Sequence, residues 1–164
     1  MNFLYRINRN GSERERITDT PILNKYGVSP DGGWVIALAP VAGEDASSET
    51  VPNQTVAVPV HGGAAKKVCG GNCTSIWSSD GRLFYVAIDP PSQTSPGGTL
   101  AIPVPAGKSL PDLLASGIDP AASEVVLPGA RVIEHRLVSP GPDSSTCLFT
   151  KTDLRRNLFR IPLH

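Results

Sequence analysis

Ser29-Pro30-Asp31-Gly32-Gly33-Trp34-Val35-Ile36-Ala37 decides the reading of this chain, together with its echo Trp77-Ser78-Ser79-Asp80-Gly81-Arg82-Leu83-Phe84-Tyr85-Val86. In each, an Asp-Gly turn runs at once into β-prone apolar residues. Asp bonds its own backbone and Gly accepts a positive φ, so both stretches predict hairpins. They recur 49 residues apart, Ser29 to Ser78. A second recurring element, an apolar strand entering a Gly turn, stands at Leu4–Gly11, Val56–Gly63 and Leu100–Gly107, with a shortened copy at Leu158–Leu163. Leu4 and Leu158 lie 154 residues apart, three periods of about 51. Four short strands per unit at such a period predict propeller blades.

The expected fold is therefore all-β, a β-propeller segment of about three and a half four-stranded antiparallel blades across residues 1–164. Residues 3–18 supply the third and fourth strands of a half blade, 25–69 and 74–118 are blades, and 131–163 form an incomplete final blade. Within 25–69 the strands are expected near Tyr26–Val28, Trp34–Ala39, Gln54–Val60 and Ala65–Cys69. Within 74–118 they are Thr74–Ser78, Arg82–Ile88 and Thr99–Val104, followed by an irregular outer segment at Leu110–Leu114, where Pro111 restricts a strand to an edge. The last unit begins with Arg131–Val138, replaces the Asp-Gly turn by Ser139–Asp143, and continues at Thr146–Thr150 and Asn157–Leu163. Long connections at Pro40–Asn53, Asp89–Gly98, Asp119–Gly129 and Lys151–Arg156 are expected on one face, where binding usually resides on a rigid scaffold.

Composition agrees with many short strands: Gly and Pro number 16 each, in a chain that is 40% hydrophobic. Lys plus Arg balance Asp plus Glu at 15 each, which argues against a nucleic-acid partner. No apolar run reaches the roughly 20 residues of a membrane span, and Met1–Arg6 leads into a strand pattern without a signal-peptide core. A soluble chain without membrane insertion is expected. Its abrupt start reads as the C-terminal part of a larger propeller.

The Trp77–Val86 pattern, the Ser29–Trp34 hairpin and Leu4–Ser12 resemble the bacterial TolB-like, WD-repeat-like β-propeller family, over nearly the whole chain. Asn157–Leu163 resembles the closing strand of such propellers where they follow a bacterial Ser/Thr protein kinase domain. The resemblance implies a protein-interaction or sensing module, commonly in the cell envelope or periplasm.

Each candidate for chemistry has a plainer structural reading beside it. Asp31 and Asp80 invite a metal or acid/base role, but each is expected to cap its own hairpin. Ala106-Gly107-Lys108-Ser109 looks like the end of a phosphate loop, yet Ile102 stands where the first glycine is required, so a turn is expected. His61-Gly62-Gly63 is read as a hairpin turn, since no Gly-x-Ser-x-Gly elbow accompanies it. His135 is expected on a strand face with Ile133 and Leu137. Cys69 and Cys73 would form a small disulfide loop, remain free thiols, or supply half a zinc site that lacks two further ligands. Cys147 reads as a small buried hydrophobe. Trp34, Trp77, Phe84 and Tyr85 are read as packing between sheets rather than as a platform for a sugar or peptide. Lys151, Arg155 and Arg156 form a small basic cluster.

No catalytic, metal or cofactor set is expected. The functional expectation is a non-catalytic module binding a protein or peptide through its long-loop face, with Glu44, Asp45, Gln93, Arg155 and Arg156 as partner-binding loop residues. The alternative is the gating propeller of a prolyl-oligopeptidase-type hydrolase whose catalytic domain lies elsewhere; a purely structural fragment is a third reading. Self-association is also expected, two copies making a ring of about seven blades.

Overall fold

The computed structural model describes residues 2–41, 52–88, 97–113, 116–119 and 127–150. Twelve strands run in order: β1 (Tyr5–Arg6), β2 (Glu15–Arg16), β3 (Asn24–Val28), β4 (Trp34–Pro40), β5 (Asn53–Pro59), β6 (Lys66–Gly70), β7 (Ser75–Trp77), β8 (Leu83–Ile88), β9 (Gly98–Pro103), β10 (Arg131–Ile133), β11 (Ser139–Pro140) and β12 (Cys147–Leu148). They form two four-stranded antiparallel sheets, β3-β4-β5-β6 and β7-β8-β9-β10, and two hairpins, β1-β2 and β11-β12. There is no helix among the described residues. The fold is all-β, a segment of propeller-like blades.

The stacking of the sheets follows from two-residue alternation. A strand covered on both sides must be apolar on both, and Trp34-Val35-Ile36-Ala37-Leu38 meets that requirement. Ile36 and Ala57 turn toward the second sheet, where they meet Phe84, Val86, Leu100 and Ile102. Val35, Ala37, Val56 and Val58 turn the other way, under Leu4 and Ile22 of the N-terminal segment. Leu83, Tyr85 and Ala101 pack beneath Val138 and Cys147 of the last hairpin. Trp77 and Phe84 contact at 4.9 Å with tilted rings, so the aromatic residues of this region serve packing between sheets.

Two strand assignments differ from the sequence-based expectation. Arg131–Ile133 pairs with β9, Val132 opposite Leu100, and is the outer strand of the second sheet rather than the first strand of the last unit. Residues 110–113 form no strand. Leu110 is instead buried in the core between the sheets, and Ile118 makes a parallel bridge to Cys69 through its amide bond to the Val68 carbonyl at 2.7 Å. The described stretches of the connection from β9 to β10, 104–113 and 116–119, thus cover the first sheet beside β6. Their apolar residues compete successfully for the core, while Pro111 removes a ladder donor from the segment.

The repeat alignment also moves by one residue. Arg6 pairs with Glu15 and Tyr5 with Arg16, the same spacings as Ala57 with Lys66 and Val56 with Lys67. Tyr5, not Leu4, is therefore the counterpart of Val56. Val56 in turn matches Leu100, because Ala37–Val56 and Val86–Leu100 hold the same place in their sheets.

Candidate binding surface

The Asp turns are built alike. Asp31 Oδ1 accepts from the Ser29 hydroxyl at 2.6 Å and the Gly33 amide at 3.1 Å, while the Trp34 amide donates to Ser29 Oγ at 2.9 Å. Asp80 Oδ1 accepts from the Ser78 hydroxyl at 2.6 Å and the Arg82 amide at 3.1 Å, and the Leu83 amide donates to Ser78 Oγ at 2.9 Å. Gly32 and Gly81, at φ 73° and 70°, provide the left-handed residue that closes each turn.

A third copy stands where the sequence showed no Asp-Gly pair. Asp143 Oδ1 accepts from the Ser145 amide at 2.9 Å, and the Gly141 amide donates to the Thr146 carbonyl as Ser29 does to Trp34. Glycine is required there: a Cβ on Gly141 would collide with Thr146. The signal was present as Asp143 followed two residues later by a donor, with serine replaced by Gly141.

Each of the first two carboxylates also reaches beyond its own hairpin. Asp31 Oδ2 accepts a short bond from the Ser109 hydroxyl, and Asp80 Oδ2 one from the Ser144 amide at 3.3 Å. The hydroxyls of Ser109 and Ser29 and the Gly33 amide lower Asp31 to a pKa of about 2. The Ser78 hydroxyl and the Arg82 amide lower Asp80 to about 2. Asp143 is lowered chiefly by the Ser145 hydroxyl and amide. Carboxylates held ionised in this way are structural anchors and poor proton donors near neutral pH.

The phosphate-loop-like stretch makes the expected turn, the Lys108 amide donating to the Pro105 carbonyl at 3.0 Å with Gly107 at φ 76°, and from there opens the long connection to β10. The Trp77 indole donates to the Ser109 carbonyl at 2.8 Å, and Lys108 pairs with Asp112 at 2.6 Å. His61 lies in the β5–β6 turn, its Nδ1 3.0 Å from an Arg6 guanidinium nitrogen. His135 is not on a strand face: it is exposed in a bend, stacked on Phe149 at 3.6 Å. Cys69 and Cys73 are joined by a disulfide where the first sheet passes into the second, and the Cys73 amide donates to Thr55 Oγ1 at 3.0 Å. Cys147 is a free thiol, half-buried rather than buried. No cluster of metal-ligating side chains occurs among the described residues.

At the opposite end of the sheets lies a concave site. The β3–β4 and β7–β8 turns are neighbours, since a Cβ on Gly81 would meet Pro30 at 3.5 Å. The strands being antiparallel, β4 and β8 both end, and β5 and β9 both begin, at the other end. A cleft of about 200 Å³ opens there, lined by Tyr26, Ile76, Tyr85 and Leu137 with the hydroxyl-bearing Ser75 and Thr99. Tyr26 Oη donates to Asn72 Oδ1 at 2.5 Å, which fixes its ring at the cleft wall. Burial raises the phenol pKa of both Tyr26 and Tyr85, so both stay neutral hydrogen-bonding groups.

Family models, curated proteins and solved structures were all compared with the chain, and none matches. Glu44, Asp45, Gln93, Arg155 and Arg156, expected from the sequence to meet a partner, lie outside the described residues, as does Lys151. Of the residues lining the cleft, the sequence reading weighs only Tyr85, and as packing, because five separate stretches contribute to the cleft and no local pattern joins them.

Proposed function

We propose that this chain is a binding module, and that the end of the sheets from which connections 41–52 and 89–97 depart receives a protein or peptide partner. The cleft carries the reading. At about 200 Å³ it is smaller than the roughly 300–1,000 Å³ of small-molecule sites, and it matches one apolar side chain of a larger partner. Its walls, Ile76, Leu137 and the rings of Tyr26 and Tyr85, suit an apolar anchor residue.

Selection of displayed peptides on the purified chain, followed by amide chemical-shift mapping, tests this. Selected peptides should shift residues 74–76, 87, 99 and 137–139, and Ile76→Arg should weaken them at least tenfold. Ile76 is exposed, so that change leaves the core intact. Peptides indifferent to both Ile76→Arg and Leu137→Asp would overturn the proposal.

A further inference from the structure

Tyr5 and Ile7 stand in the register positions of Val56 and Val58, and of Leu100 and Ile102. In the complete sheets those residues are 7%, 5%, 1% and 3% exposed, whereas Tyr5 is 45% and Ile7 58% exposed. Leu4, one residue away, is buried on the opposite face against the first sheet. The segment Leu4–Ile7 thus carries apolar residues on both faces, Leu4 covered on one and Tyr5 and Ile7 open on the other, with Arg6 paired to Glu15 beside Leu4 and the Arg14 guanidinium lying 4.2 Å over the Tyr5 ring. Such a strand is built to lie between two sheets.

Among the described residues, the complementary open face is on the second sheet, on the side away from the first. The face of the second sheet that carries Leu83, Tyr85, Ala101 and Ile133 is only partly roofed by β11-β12, and a groove of about 260 Å³ remains beside Cys147. Among the described residues, β12 pairs only with β11 and β1 only with β2. Two strands at each side add up to the four of a complete sheet.

We propose that two copies of this chain associate so that β1-β2 of one extends β11-β12 of the other, giving the sheet β11-β12-β1-β2 between the second sheet of one copy and the first sheet of its partner. This continues the packing already seen between the two complete sheets, the Ile36–Ala57 face of one meeting the opposite, Phe84–Ile102 face of the next. Each copy supplies two complete sheets and half of two composite ones, six in all, a number at which propellers close. Both interfaces are identical and the two-fold assembly is closed. The observed strands thereby change the expected ring from about seven blades to six. The association holds whether or not the cleft takes a peptide.

The repeat fixes the register. Val35 opposes Val58 and Phe84 opposes Ile102. By the same spacing, Cys147 opposes Ile7 of the second copy and Phe149 opposes its Tyr5. Facing residues in antiparallel strands are within reach of a disulfide, and Cys147 is the one cysteine of three not already bridged. In Ile7→Cys, mild oxidation joins the two thiols by losing two electrons and two protons to an added oxidant such as a diamide.

Light scattering of the full chain should give twice 17.3 kDa. Oxidised Ile7→Cys should run as a covalent dimer on non-reducing gels and return to monomer with dithiol. Ile7→Glu, at an exposed position, should leave the circular dichroism unchanged and halve the mass. A monomer mass for the unaltered chain would overturn the proposal, as would a ladder of trimers and longer species. A monomer in which Ile161→Cys links to Cys147 of its own chain would also overturn it, because residues 158–163 repeat the Leu4–Arg9 pattern and would then hold the same slot.

Discussion

The two complete sheets have the same strand order and the same Asp turn, yet the first closes locally and the second does not. Residues 60–65 suffice to bring β6 back along β5, whereas β10 reaches β9 only after residues 104–130. The detour covers the first sheet: Leu110 and Ile118 fill the space between the sheets, and Ser109 holds Trp77 and Asp31. An outer strand is thus a slot that a distant segment can fill, since loop closure becomes costlier only slowly with length. The first sheet depends on that segment for cover, and the second depends on it for its fourth strand.

The comparison breaks most severely at the shared core. Phe84→Ala removes a fully buried ring in contact with Trp77 and should cost about 3–5 kcal/mol. Amide exchange should then show β3–β6 loosening together with β7–β10. If β3–β6 kept their protection, the two sheets would be independent units.

The joint between the sheets comes next. Replacing Cys69 and Cys73 together by alanine opens a short loop and should lower the stability by about 2 kcal/mol in a denaturant titration. An unchanged midpoint would mean that the joint is held by the Thr55 bonds alone.

Gly117→Ala separates the roles of the detour. At φ 74°, and with a new Cβ 3.1 Å from the Val68 carbonyl oxygen, it should cost more than about 1 kcal/mol. Proteolysis within 104–119 should rise well before cleavage in β3–β6. Equal rates would show that the cover and the first sheet open as one.

The smallest effect is electrostatic and sharpens the likeness of the turns. Asp31 and Asp80 have folded pKa values near 2, below the ordinary carboxylate value. Their contribution is therefore present above about pH 4 and lost as pH falls through 2. Both lie near the surface, so screening keeps it small. Asp31→Asn with Asp80→Asn should flatten the melting temperature between pH 4 and 2, and an unchanged slope would exclude these turns as its source.

Local chemistry made much of this legible. The Ser-x-Asp turns at 29–34 and 78–83 and strands β3–β9 stand within a residue or two of their expected places, because a turn and its flanking strands share one short stretch. Asp143 was harder to see, since Gly141 replaces the serine and the detour lengthens the interval from 49 to 63 residues, Asp31 to Asp80 against Asp80 to Asp143. Arg131–Ile133 was read forward into the last unit for the same reason: three extended residues carry no mark of which neighbour they pair with. The cleft draws on five stretches of the chain and has no linear signature.

By itself, then, the sequence determined that this is an all-β chain of repeated antiparallel sheets, and it placed the first two Asp turns. These depend on residues adjacent in the chain, through side-chain-to-backbone bonds and two-residue alternation. Only the tertiary structure decided the outer strand of the second sheet, the use of Leu110 and Ile118 as a cover, and the alignment of Tyr5 with Val56. A shift of one residue exchanges the two faces of a strand without altering its composition, so its register is settled by what packs on each side.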